Sequence, residues 1–197
     1  LARLGVAPHI IERLLNHFGL YVFDIGTSPI SGGSIVVYAS ARRKQESPQL
    51  DRYRKQEAAD GTNDLVSWEK FASQSFAHRD RLREMLTACA AKGSVVGYGA
   101  SARSSTLLNF CGIDRRLVPL IADQNTLKQG KYTPGTHILI DSPENVMRRK
   151  PAHVFILAWN FADEIIGILQ NRFGFGGSFI IPLPASPHLR QAQAMRN

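Results

Sequence analysis

The chain has 197 residues, enough for one good core or for a main domain with a smaller companion. Its apolar fraction of 44% is ordinary and no apolar run approaches a membrane span, so the sequence argues against a membrane protein. The formal charge is +8, yet the basic runs at residues 42–44, 52–55, 79–83 and 148–150 have no aromatic residues at a stacking spacing, so they read as solvated faces with a bias toward small anions rather than as a nucleic-acid surface.

In chain order, Ile10, Ile11, Leu14, Leu15 and Phe18 make one apolar stripe after Pro8, which predicts a helix over residues 8–18 that stops at Gly19. Residues 21–25 and 34–38 read as two strands, and the turn-rich stretch 29–33 between them suits a hairpin. Residues 42–64 are polar and behave as a linker that holds a short helix. A long helix is predicted after Asp64, with Trp68, Phe71, Leu82, Met85, Leu86 and Cys89 on or near one face and Gly93 closing it.

From there the pattern alternates. Strands are predicted at residues 94–97, 117–122, 137–140, 153–158 and 178–181. Helices are predicted near residues 104–111, after Ser142-Pro143, and from Asn160 to about Phe173, the last with Asn160 as its cap and Asp163 as the capping partner. Strand–helix alternation of this kind implies a parallel sheet with right-handed crossovers, a Rossmann-like α/β domain over residues 65–187 with a tail at 188–197.

The chemistry concentrates in Gly97-Tyr98-Gly99-Ala100-Ser101-Ala102. It matches the dinucleotide glycine fingerprint with Ala at the third position, between a strand and a helix start. Such turns also serve packing, but in this context they cradle anions on backbone N–H groups. Arg103, Ser104 and Ser105 crowd the same helix start and suit a diphosphate. Asp123 ends the next strand, where a ribose-binding acid belongs; this leaves an NAD(P)-type oxidoreductase or sensor domain as an alternative. Lys128 and Lys131 lie on a cationic loop that leaves the same sheet edge. Trp159 and Asn160 border it from the following strand, Trp159 as a stacking wall or as a packing residue. The six histidines have no metal spacing, and no nucleophilic triad or carboxylate pair stands out, so neither a metal site nor a catalytic residue is assigned. Cys89 and Cys111 alone point to a reducing, cytoplasmic compartment.

Gly97 to Arg103 with Thr106-Leu107-Leu108-Asn109 resembles the C-terminal domain of S-adenosylmethionine-dependent nucleotide-sugar C-methyltransferases. So do Asp123-Gln124-Asn125, Lys128 to Tyr132, Pro134 to Ile138, Ala158-Trp159-Asn160-Phe161 and Phe179 to Pro182, in the expected order. The resemblance implies a parent enzyme in which a base removes a proton beside a ketone of a nucleotide-linked sugar and the enolate takes the methyl group. It implies that residues 1–41 are the terminal helix and hairpin of a methyltransferase domain whose remainder, with the S-adenosylmethionine site, precedes Leu1. This chain then binds no cofactor itself and holds the nucleotide-diphosphate sugar, with Asn109 among the contacts. Ser31 stands where the family's hairpin turn usually has His, and Arg103-Ser104-Ser105 where it has Lys-Gly-Asn.

Overall fold

The computed structural model describes residues 8–28, 34–61 and 64–192, which fall into two units, Leu1–Gln74 and Ser75–Asn197. In the first, helix α1 (Pro8–His17) ends at Gly19, whose φ of +71° is a conformation glycine adopts without strain. Strands β1 (Tyr21–Ser28) and β2 (Ser34–Ser40) pair antiparallel, with a bulge between Val22 and Asp24. The turn at 29–33, Ser31 included, lies outside the described residues, as do Thr62-Asn63 and the last five residues.

The segment read as a linker carries α2 (Pro48–Ala59). Ser47 caps it, its hydroxyl accepting the Leu50 N–H at 3.2 Å. Leu50 is fully buried against Val22 and Ile25, with Leu15, Val37 and Tyr53 packed around them. The helix is therefore part of a small core.

Helix α3 (Leu65–Ala90) runs across the division between the units. Leu82, Leu86 and Cys89 at its C-terminal end are buried in the core of the second unit, whereas Leu65, Val66 and Trp68 at its start are exposed. The second unit continues through β3 (Val95–Tyr98), α4 (Ala102–Cys111), β4 (Leu120–Ala122), β5 (Leu139–Asp141), α5 (Pro143–Arg148), β6 (His153–Ile156), α6 (Ala162–Phe173), β7 (Ser178–Ile181) and β8 (His188–Gln191). The strand order is β5-β4-β3-β6-β7-β8, parallel except for β8, which pairs antiparallel with β7.

Both faces of this sheet are covered, which is why its strands read as continuous apolar runs. Along β3 and β6 the side chains alternate between the faces. Val95 and Phe155 join one core with Leu86, Leu108 and Ile121. Val96, Val154 and Ile156 join the other with Ile166, Leu169 and Phe179.

Two expectations are corrected. Asn160 does not cap α6: a single 3₁₀ turn (Trp159–Phe161) intervenes, the cap position is Phe161, and no side-chain cap bond forms there. The Asp163 carboxylate instead accepts a hydrogen bond from Arg190 on β8. That strand is itself the second correction, because residues 188–191 pair with β7 along its full length. All four are exposed, so no buried stripe marked them in the sequence. No described helix is long and apolar enough to cross a membrane.

Candidate functional site

The chain fills one half of the sheet as β3, β4, β5 and then returns to fill the other half as β6, β7, β8. The reversal falls between β3 and β6. In open sheets of this kind a ligand crevice lies outside the carboxyl ends of the strands at that point. Here the crevice is bounded by the glycine turn after β3 and by residues 157–161 after β6.

The two glycines set how closely these segments approach. A Cβ on Gly97 would sit 2.8 Å from both Ile121 Cγ1 and Leu157 Cδ1. Gly99 has φ +95°, and a Cβ there would meet the Ala158 Cβ at 2.6 Å. Their spacing is thus accounted for by packing at the centre of the sheet. Tyr98, between them, is buried on the opposite face, where its phenol oxygen accepts a bond from Gln124 Nε2 at 3.1 Å. Burial raises its pKa, so it stays a neutral phenol at physiological pH.

The hydroxyls at the start of α4 serve the helix. Ser101 is the N-cap and Ser104 its reciprocal partner: Ser104 N–H donates to Ser101 Oγ at 3.1 Å and Ser101 N–H donates to Ser104 Oγ at 2.6 Å. Ser104 is fully buried. Ser105 Oγ reaches back to the Ser101 carbonyl at 3.3 Å. What remains on the ligand side is the positive end of the helix, where the capping box already holds the Ser101 and Ser104 N–H groups, together with the exposed side chain of Arg103.

Asp123 and Lys128 grip the glycine turn from its other flank. Ala100 N–H donates to Asp123 Oδ2 at 2.8 Å, and Lys128 Nζ donates to the Ala100 carbonyl at 2.6 Å and to the same Oδ2 at 3.1 Å. The second carboxylate oxygen accepts the Asn125 N–H at 2.8 Å. The Asp123 residue is buried. Both backbone groups of Ala100 are therefore held by one ion pair. Neither the Ala100 N–H nor the carboxylate is left open to a ligand.

Asn109, at the far end of α4, bonds the Ser105 carbonyl at 2.8 Å and the Pro134 carbonyl at 3.0 Å, tying the loop after β4 to the helix. That loop lies along β5 through the Gly130 N–H to Ile140 O and Ile140 N–H to Lys131 O bonds, each 2.8 Å. Lys131 projects from it with its side chain exposed.

A pocket in the crevice is lined by Ser101, Arg103, Leu157, Ala158, Trp159, Asn160 and Phe161. It brings together four of the residues singled out in the sequence: Ser101, Arg103, Trp159 and Asn160. Trp159 is half-buried against the core, whereas Phe161 is 60% exposed. Sequence reasoning gave Phe161 no role; the signal it carried was a third consecutive residue at the mouth of the switch point. The lining mixes an apolar wall, two aromatic rings, one guanidinium and one amide, next to the positive end of α4. Such a site suits an anionic ligand that carries a ring.

Residues 29–184 match the family model for the C-methyltransferase C-terminal domain. The chain is also 36% identical over 174 residues to C-methyltransferase NovU from Streptomyces niveus, a match that covers 87% of this chain and 41% of that protein. The chain thus spans less than half the length of this relative. It belongs to the C-methyltransferase C-terminal domain family.

Proposed function

We propose that this chain is the nucleotide-sugar-holding part of an S-adenosylmethionine-dependent C-methyltransferase that acts on a nucleotide-diphosphate keto sugar. The observation that carries the reading is the switch-point pocket, where Arg103 and the first turn of α4 offer positive charge beside Trp159, Asn160 and Phe161. The diphosphate lies at the α4 start against Arg103, with exposed Lys131 as a further cation. Asn160 offers polar contacts to the sugar.

The residues of this pocket do not fit S-adenosylmethionine. Its sulfonium is a cation, the charged group lining the pocket is a guanidinium, and the nearby carboxylate of Asp123 already faces Lys128. In this proposal proton removal and methyl transfer belong to the part of the parent protein outside these residues. The isolated chain binds substrate and catalyses nothing.

A nicotinamide dinucleotide is disfavoured by the same ion pair, since Asp123 would have to release Lys128 and the Ala100 N–H to take a ribose hydroxyl. Titration calorimetry of the chain with a thymidine-diphosphate sugar and with NADH, side by side, tests the reading. Binding of the sugar nucleotide with no response to NADH is expected, and tight NADH binding without the sugar nucleotide overturns it.

A further inference from the structure

Phe161 is the lining residue that the fold itself does not explain. The residue is 60% exposed, and its ring pairs with no other aromatic ring among the described residues. It also occupies the N-cap position of α6, where a side-chain oxygen is favoured, and no side-chain cap bond forms there. Phenylalanine is thus a poor choice on two local grounds, solvation and capping. Positions where local rules are broken without a gain to the fold are where function is to be sought.

The surroundings indicate what the ring faces. Trp159, two residues earlier in the same 3₁₀ turn, is packed against the core and so anchors the turn. Phe161 lines the pocket that Arg103 and Ser101 line from the start of α4. An open aromatic face and a guanidinium in one small pocket suit a ligand with an anionic group and a flat ring. A nucleoside diphosphate has both. Base–aromatic stacking needs only the π-face of the base.

We propose that Phe161 is the stacking platform for the nucleobase, with the phosphates on the Arg103 side of the pocket. This inference rests on the nucleotide-sugar reading above.

The test is calorimetric titration of the 197-residue chain and its F161A, F161L and F161Y variants with thymidine 5′-diphosphate and with inorganic pyrophosphate. Phe161→Ala and Phe161→Leu should weaken thymidine diphosphate about ten-fold or more, in line with loss of one stacked base. Phe161→Tyr should retain the affinity, and pyrophosphate binding should be the same in all four proteins. Unchanged thymidine diphosphate affinity in F161A and F161L overturns the inference and leaves the nucleotide-sugar reading standing. Equal weakening of both ligands overturns it as well, because the ring would then act on the phosphate locus. Failure of the wild-type chain to bind either ligand overturns the nucleotide-sugar reading, and this inference falls with it.

Discussion

Ala100 has no functional group of its own, yet more of the site's geometry converges on it than on any ligand-facing side chain. Its N–H and its carbonyl are both held by the Asp123–Lys128 pair. This fixes the turn that leads from β3 into the capping serine of α4, so the direction in which the helix start faces is set before any ligand arrives. Replacement of Lys128 by Met removes the donor to the Ala100 carbonyl and leaves the Asp123 carboxylate, whose side chain is 11% exposed, without its cation. Two backbone N–H donors would still hold that carboxylate, which limits the damage. We expect a loss of about 1–3 kcal/mol, the range for leaving a buried polar group unsatisfied. A lower denaturant midpoint with an unchanged slope would register it, and a variant as stable as the parent would show that the pair does not hold the turn.

Among the elements, α4 depends most on its first residues. The Ser101–Ser104 capping box satisfies donors that would otherwise be orphaned at the start of the helix. Ser101→Ala should therefore destabilise the chain by about 1 kcal/mol, measured by thermal or denaturant unfolding, whether or not a nucleotide is present. No effect on stability together with weakened nucleotide binding would assign the hydroxyl to the ligand instead. Such local signals were legible in the sequence. Ser101 before an apolar helix, Ser142-Pro143 before another, and glycines between a strand and a helix act over a few residues and leave their mark there. The 3₁₀ turn at Trp159–Phe161 was not legible, because Asn160 and Asp163 have capping spacing, yet the helix starts only at Ala162, after a turn whose Trp159 packs against the core. Strand β8 was hidden for a different reason: all four of its residues are exposed, Leu189 included, and pairing with β7 makes it a strand. The clasp was likewise hidden, since Asp123 and Lys128 carry no pattern that announces bonds to a residue 23 positions or more away.

On the scale of the whole molecule, a formal charge of +8 makes acidification a burden from the outset, since each added proton increases self-repulsion. Two half-buried imidazoles set where that burden begins. His153, on β6, has its Nδ1 2.6 Å from Ser178 Oγ. Burial and then the Lys92 ammonium hold its pKa below the ordinary value, against a weaker opposing pull from the Cys89 carbonyl. Burial also lowers the pKa of His78, with the Arg81 charge adding to it. The unfolded chain therefore binds more protons than the folded one between these lowered values and about 6.5, so stability rises with pH across that window and is lost as pH falls through it. The carboxylates held low by arginine or amide partners, Glu46, Asp80, Asp114 and Asp141, lose their contributions only at lower pH, through the carboxylate range. The two effects are thus separable. His153→Asn keeps a polar partner for the Ser178 hydroxyl and removes one titration, so urea unfolding at a series of pH values should give a shallower fall in stability from pH 6.5 to about 5. One histidine can supply at most about 1.4 kcal/mol per pH unit, which bounds the difference between the two proteins. If the variant and the parent lose stability in parallel over that interval, the histidine at β6 is not the group responsible.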